Sequence, residues 1–474
     1  MLINICVAGD FTTKPSYSSP SPSGTVAVLL NIEKALGRDD IVGIDELFPC
    51  KIESRNEIQR LIKDDIKNGK ITALFFTIFF YNAENTLDYI KELKQRFGKN
   101  IRTIVGGQLV PFARKAYLKN KDIDTICVGD AEIILPKLLK NLDTGNLKKE
   151  YCGWVADQKR ERIFSGVDYE HFWKIKERMK EQKRNGSIKD RGRRISQLTI
   201  QGPGGPGCTW AISNTKGPCS FCAIQNVMVK NETTIEEYLE NERIVEQQLH
   251  PDRFFDIANN FLPTLNKKEK VEWLKNYINT RKAKSIKARK FVYLNVSSVD
   301  DEIAELLREA GVTEVYLGIE HFNPTVLREQ NKPYKGISTL EKCLSALKKQ
   351  GICFASGIVL GAAAESKDSI EAVRDGIEWM VKNYRNSMST AGILLMQIYP
   401  GSKVFDKLKK AKLCPELIAK FSDKGYLSRS EQKNLIKGWV DHYSDASLDE
   451  ILKFRKEMLR YLEKEGVFGY EESY

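Results

Sequence analysis

The chain has 474 residues, 42% of them hydrophobic, with 75 Lys and Arg against 63 Asp and Glu for a net charge of +12. That length predicts two or three domains with real cores, and no stretch approaches the roughly 20 apolar residues of a membrane span. The opening MLINICVAGDF reads as a β-strand, so no secretory leader is expected, and ten cysteines scattered mostly through apolar segments argue against a secreted disulfide framework and for a reduced cytoplasm.

Over residues 1–150, short apolar runs alternate with amphipathic patterns. Strands are expected at 2–8, 41–44, 71–80, 101–105 and 123–128, with helices near 24–36, 56–68, 83–97, 111–119 and 131–142. This alternation predicts an α/β domain with a doubly wound, Rossmann-like parallel sheet, which binds ligands at the carboxyl ends of its strands. The loops that fall there are Gly9-Asp10 with the following SYSSPSPSGT, the loop after Phe80, Val105-Gly106-Gly107-Gln108, and Val128-Gly129-Asp130-Ala131-Glu132. No GxGxxG follows the first strand and no GxxxxGK[ST] occurs, so a nucleotide fingerprint is absent. The domain contains no histidine.

Residues 151–195 read as an interdomain connector, with Lys and Arg crowded at 174–194; a second basic run spans 266–290. Such runs attract RNA, a phosphorylated substrate or an anionic surface; the alternative is a solvated linker and a solvated helix face. Few aromatics are interleaved and no RNA-binding motif is present.

From 196 to 410 the βα alternation resumes, with strands expected at 198–201, 254–258, 291–296, 315–319, 352–360 and 393–398. Thr234-Ile235-Glu236-Glu237 reads as a capping box opening one helix, and Ser338-Thr339-Leu340-Glu341 as the start of another that Gly351 ends. Six strands with intervening helices predict a partial (βα)6, TIM-like barrel, whose site lies at the carboxyl ends of the strands. A cysteine loop follows the first strand, Asn259 and Asn260 the second, Ser297 and Ser298 the third. Gly318-Ile319-Glu320 ends the fourth strand, residues 357–361 the fifth, and Tyr399-Pro400-Gly401-Ser402 the sixth. Residues 411–474 are expected to be a helical tail with Leu448, Ile451, Leu452, Phe454 and Leu459 on one buried face.

The cysteine loop carries the chemistry. In GPGGPGCTWAISNTKGPCSFC, Cys219 and Cys222 place two thiolates on one tight turn, and Cys208 is near enough in sequence to add a third. Thiolates select soft metals and iron–sulfur clusters. A structural zinc site wants four ligands, and neither a fourth cysteine nor a histidine lies nearby. A zinc knuckle and three unrelated buried thiols remain the alternatives.

The stretches VYLGIEHFNPTVLREQNKPYKG, GIVLGAAAES and QIYPGSKVF resemble, in order, the fourth-, fifth- and sixth-strand segments of the radical S-adenosylmethionine (SAM) superfamily. The N-terminal loops are similar to the cobalamin-binding domain that precedes many of its members, through Pro22-Ser23-Gly24-Thr25, Val105-Gly106-Gly107 and Gly129-Asp130-Ala131-Glu132. Three departures stand out. Ten residues separate Cys208 from Cys219 where the family spacing is CxxxCxxC; Ala258-Asn259-Asn260-Phe261 replaces a GGE-like turn; and no DxHxxG supplies an axial histidine to cobalt.

The resemblance implies that Cys208, Cys219 and Cys222 hold a [4Fe–4S] cluster whose free iron binds SAM. Asn259, Asn260, Ser298, Glu320, Gly357 and Gly361 would contact SAM, and Gly9, Ser23, Gly24, Gly106, Gly107 and Gly129 cobalamin. His321 is weighed between proton transfer and packing, and no catalytic acid or base is assigned. The expected function is cobalamin-dependent methyl transfer to an unactivated carbon through a 5′-deoxyadenosyl radical, with rearrangement or ring formation fitting equally. The substrate would be a small molecule or peptide, and the electron donor of flavodoxin or ferredoxin type. A cobalamin-independent enzyme acting on RNA or another macromolecule is the alternative, and a non-catalytic metal-binding module a third reading.

Overall fold

A computed structural model describes residues 1–7, 24–45, 51–153, 197–200, 208–213, 216–223, 234–251, 253–256, 258–334 and 336–471. The expected connector lies outside these residues from 154 onward, its basic run included, while 151–153 fall within the described set. The chain forms two units: one gathers the described residues up to Thr199 with Glu416–Ser428, the other those of Ile200–Pro415 and Arg429–Tyr474.

The first unit is built from β1 (Leu2–Cys6), α1 (Gly24–Ala35), β2 (Ile41–Asp45), α2 (Lys51–Lys67), β3 (Thr72–Thr77), α3 (Ala83–Phe97), β4 (Ile101–Gly106), α4 (Val110–Lys119), β5 (Thr125–Gly129), α5 (Ala131–Asp143) and β6 (Glu150–Gly153). The strands form one parallel sheet in the order β2-β1-β3-β4-β5-β6. LINIC of β1 and TALFFT of β3 are buried at every position, as central strands covered on both faces must be. Helices cover the sheet through stripes such as Leu87, Ile90, Leu93 and Phe97 of α3. The sixth strand, EYCG, was not expected: it is four residues long and buries only Tyr151, so it has no apolar run to reveal it.

The second sheet and its helices, in the second unit but for the first three residues of β7, comprise β7 (Gln197–Ile200), α6 (Thr209–Ser213), α7 (Ile235–Leu249), β8 (Arg253–Asp256), α8 (Lys267–Ala283), β9 (Arg289–Leu294), α9 (Asp301–Glu309), β10 (Val312–Glu320), α10 (Pro324–Glu329), α11 (Ile337–Lys349), β11 (Cys353–Leu360), α12 (Lys367–Tyr384), β12 (Met388–Leu395) and α13 (Lys403–Lys410). After α14 (Pro415–Lys424) come α15 (Arg429–Tyr443), α16 (Leu448–Lys464) and β13 (Phe468–Tyr470). The sheet order is β13-β12-β11-β10-β9-β8-β7, with parallel pairing from β8 to β13. Six strands of a partial (βα)6 barrel are thus extended by a seventh, contributed by a tail expected to be helical throughout. Phe468 and Tyr470 favour extended backbone, and the edge of β12 supplies their partner.

Local capping follows the sequence at one helix and departs from it at another. The Thr234 box forms: Thr234 Oγ1 accepts from Glu237 N–H (3.2 Å) and Glu237 Oε2 accepts from Thr234 N–H (3.0 Å). At α11, Gly336 takes the cap position and no side chain caps the helix, so Ser338 falls inside the first turn rather than opening it. On α16 the buried stripe is Leu448, Ile451, Phe454, Met458 and Leu462; Leu452 and Leu459 are only partly covered.

The second basic run is not a solvated face throughout. Lys290 on β9 is fully buried, ion-paired with Glu242 of α7 and donating to Tyr238 Oη (2.6 Å). Arg281 is buried beside the same carboxylate (3.8 Å) and donates to the carbonyl of Ala288 (2.6 Å). Buried cations need such partners.

Candidate functional site

In the second unit the strand ends bring a defined set of residues to one end of the barrel. Cys208 immediately precedes α6; Cys219 and Cys222 share a turn in which Cys222 N–H donates to the carbonyl of Cys219 (3.0 Å). All three thiols are half-buried. The turn is held from outside: Ser220 N–H donates to the Gln330 carbonyl and Val404 N–H to the Ser220 carbonyl, both at 3.0 Å.

Glu320, the last residue of β10, has φ +61° at a register shift between β10 and β11. Left-handed backbone at a non-glycine position is costly and concentrates where geometry matters. Its Oε1 meets Lys332 Nζ at 3.0 Å, with both side chains largely buried. Burial works against the Lys332 charge, but Glu320 and the Cys219 and Cys208 thiols more than offset it and hold the ammonium above its ordinary range. Burial likewise pushes the Cys219 thiol up; Lys332 opposes this, while Glu320 and Cys208 add to it. One ammonium therefore acts on two of the three cysteines and on Glu320. Sequence reasoning missed Lys332, although it stands in the quoted QNK of the fourth-strand segment.

Of the two asparagines after β8, Asn259 is exposed and Asn260 is 1% exposed. Asn260 Nδ2 donates to Thr209 Oγ1 (2.8 Å), next to Cys208, and to the Leu262 carbonyl (2.9 Å), while its Oδ1 is buried without a protein partner. Ser298 ends a short turn after β9, and its Oγ is also buried without a partner. Buried polar atoms are normally satisfied, so these two orphans stand out as exceptions.

Gly357 and Gly361 serve the protein's own packing. Gly318, Gly357 and Gly392 are register neighbours across β10, β11 and β12, and Gly392 pairs with Tyr470 of β13. A β-carbon at Gly357 would clash with Tyr316 Oη, and one at Gly392 with the Tyr470 ring. The two tyrosines meet above this row, their hydroxyl oxygens 3.1 Å apart. Gly361, at φ +82°, donates its N–H to Glu365 Oε2 (3.0 Å), and its carbonyl accepts from Trp439 Nε1 (3.1 Å). Both of its main-chain polar groups are therefore in use.

His321 is fully buried. Its Nδ1 accepts from Asn323 N–H (2.9 Å), which places the ring proton on Nε2, 3.1 Å from Glu365 Oε1. Glu365 also accepts from Ser369 Oγ. His321 thus joins the ends of β10 and β11 to the start of α12.

In the first unit, Gly106, Gly107 and Gly129 lie at the carboxyl ends of β4 and β5, and Gly24 begins α1; Gly9 and Ser23 lie outside the described residues. Gly107 has φ +108°, and a β-carbon there would stand 2.6 Å from the Ile78 carbonyl; Gly129 has φ +126°, and one there would clash with the Gly153 carbonyl. The same edge carries an aromatic platform that was not anticipated. Phe79 and Tyr81 stack with centroids 5.3 Å apart, and Tyr81 is 56% exposed. Asn82 sets this loop: its Oδ1 accepts from Phe79 N–H (2.7 Å), and its Nδ2 donates to the carbonyls of Val7 and Thr77 (3.1 Å each).

Among the described residues no group of three or more His, Cys, Asp or Glu side chains stands in metal-holding geometry. The donor set nevertheless fits an iron–sulfur group in its chemistry: three half-buried sulfurs, a buried ammonium to balance thiolate charge on Cys208 and Cys219, and the unpartnered Asn260 Oδ1, whose amide also bonds Thr209.

The family description of the radical SAM superfamily matches residues 203–375. That stretch, just over a third of the chain, is a radical SAM domain by this likeness, and such a domain implies a [4Fe–4S] cluster and SAM. Among named relatives, the hopanoid C-2 methylase of Rhodopseudomonas palustris is 24% identical over 197 residues, 40% of this chain and 36% of that protein. The bacteriochlorophyllide d C-12(1)-methyltransferase of Chlorobaculum tepidum is 27% identical over 108 residues, 23% of this chain and 22% of that protein. The matched stretch thus spans about a third or less of these relatives. Among solved structures, the radical SAM methyltransferase TsrM from Kitasatospora setae, with cobalamin and a [4Fe–4S] cluster bound, aligns with TM-score 0.63 at 13% identity over 86% of this chain and 74% of its own. The cobalamin-dependent radical SAM enzyme OxsB aligns with TM-score 0.61 at 13% identity over 98% of this chain and 71% of its own. These likenesses establish the fold: a Rossmann-like parallel sheet followed by a partial barrel.

Proposed function

We propose that this protein is a cobalamin-dependent radical SAM methyltransferase acting on an unactivated carbon. Cobalamin would bind the domain of residues 1–150, and the cluster and SAM the barrel of residues 196–410. The observation that carries the reading is the buried Glu320–Lys332 pair, whose ammonium acts on Cys208 and Cys219, together with the Cys219–Cys222 turn and the unpartnered Asn260 Oδ1. The methyltransferase names of two relatives, and the cobalamin bound in two proteins of the same fold, support the methyl-transfer reading.

A [4Fe–4S] cluster held by three thiolates would supply the electron for reductive cleavage of bound SAM. Cys208, Cys219 and Cys222 would provide the thiolates, and Lys332 offsets their negative charge. Asn260 Oδ1 and Ser298 Oγ would take polar groups of SAM. In the first unit, the glycine-edged strand ends and the exposed Tyr81 ring suit a broad macrocycle held by shape, since residues 1–150 contain no histidine to bind cobalt. The substrate would be a small molecule or peptide, and the electron donor a flavodoxin or ferredoxin. An RNA substrate has less support, because Lys290 and Arg281 of the basic run are buried in ion pairs.

The test is to reduce the anaerobically reconstituted protein in the presence of SAM and assay the nucleoside products by mass spectrometry. Formation of both 5′-deoxyadenosine and S-adenosylhomocysteine, the latter only when cobalamin is supplied, is expected. Deoxyadenosine without cobalamin-dependent S-adenosylhomocysteine would reject methyl transfer, and neither product would reject the radical reading.

A further inference from the structure

Ten residues separate Cys208 from Cys219, a long tether for two ligands of one metal group. The entropy of closing such a loop grows with its length, so something besides the spacer must hold its ends together. One residue from a different element touches both ends. Asn331 follows α10 with φ +56°, a left-handed conformation that asparagine adopts more readily than most residues. Its main-chain carbonyl accepts from the indole N–H of Trp210 (3.0 Å), two residues beyond Cys208. Its Nδ2 donates to the carbonyls of Gly217 and Pro218 (2.8 Å each), the two residues before Cys219. On either side, the Gln330 carbonyl accepts from Ser220 N–H (3.0 Å), and the Lys332 ammonium acts on Cys208 and Cys219.

We propose that Asn331 is the positioning residue of the metal loop: it ties the Cys208 end to the Cys219–Cys222 turn, doing by hydrogen bonds what a three-residue spacer would do covalently. The inference rests on the reading of these cysteines as ligands of one iron–sulfur cluster, and it concerns assembly of that cluster. Both features of the side chain are required. Aspartate keeps the shape and tolerates positive φ but donates no hydrogen bond, and the two loop carbonyls would then face a carboxylate.

The test compares wild type, Asn331→Asp, Trp210→Phe and Cys208→Ala, each reconstituted anaerobically with iron and sulfide. Iron per chain under chelator challenge and the electron paramagnetic resonance signal of the reduced protein are read, with circular dichroism as the control for folding. Asn331→Asp is expected to lose iron about 10-fold faster or more, as outer-shell substitutions at metal sites do. Its resonance signal should move to that of Cys208→Ala, and the Asn331→Asp/Cys208→Ala double variant should be no worse than Cys208→Ala alone. Trp210→Phe, which keeps an aromatic ring but removes the indole N–H with its five-membered ring, should shift iron retention in the same direction by less; it decides the matter if Asn331→Asp does not fold. Variants indistinguishable from wild type in iron retention and spectrum would overturn the role of Asn331. A wild type that binds no iron would instead overturn the cluster reading beneath it.

Discussion

Lys332 shows how much at this site depends on one side chain. It is buried against Glu320 and lies close enough to two cysteines to act on both. Removing one member of a buried ion pair leaves the other uncompensated, which costs about 3–5 kcal/mol. Lys332→Met is therefore expected to destabilise the second unit by about that amount in denaturant unfolding and to lower iron retention. The Glu320→Gln/Lys332→Met double variant should recover part of the stability but not the iron. Equal stability of Lys332→Met and wild type would refute the pairing. Glu33 offers a second test, in the first unit. It is fully buried beside Asn4, which donates to its Oε2 (2.7 Å), and burial raises its carboxyl to about 7, with Asn4 and Arg38 opposing. Because the folded value lies above the unfolded one near 4.5, its stabilising contribution is complete below that pH and is lost as pH rises through about 7. Glu33→Gln should remove this loss, so that its stability relative to wild type increases from pH 5 to pH 8; a constant difference would contradict the assignment. At this scale the cysteines could be singled out from their spacing alone. The burial of Lys332, and of Asn260 but not Asn259, could not, because burial of a polar side chain depends on which elements close around it.

At the scale of elements, the long strands and helices of both units could be read from apolar runs and helical periodicity. β6 and β13 could not. Each is four residues or fewer, and each exists because a neighbouring edge is available for pairing. The cap at α11 failed for a related reason: Gly336 turns the chain two residues before the serine that resembled a cap. The strand-end glycines were read as ligand-facing, and the geometry adds an obligation from the fold itself. Gly129 sits at φ +126° against the Gly153 carbonyl, so Gly129→Ala must either strain the turn or part β5 from β6. A loss of about 2–4 kcal/mol in the first unit is expected by thermal or denaturant unfolding, against a much smaller effect for Gly106→Ala, where a β-carbon has ordinary room. Similar costs at the two positions would contradict this. The strand β13 is tied by the Tyr316–Tyr470 contact, so Tyr470→Phe should raise proteolytic release of the C-terminal residues while leaving the helices intact.

For the molecule as a whole, the order of a Rossmann-like sheet and then a partial barrel was legible because strand–helix alternation persists over both regions. The return of Glu416–Ser428 to the first unit was not, since its helical pattern does not say which core it will join. There Tyr117 Oη donates to the Gly425 carbonyl (3.0 Å), and Gly425 at φ +80° leaves room for the Tyr117 ring. The substrate is not legible at any scale, because specificity resides in loops whose side chains follow no repeating pattern. The claim on which the rest depends is that Cys208, Cys219 and Cys222 hold one iron–sulfur cluster in a protein that also binds cobalamin. The most direct measurement is an absorption spectrum with metal analysis of the full chain, reconstituted anaerobically with iron, sulfide and hydroxocobalamin. About four irons per chain together with cobalamin bands is the predicted result. A chain that takes up no iron, or takes up as much after all three cysteines are changed to alanine, would contradict it.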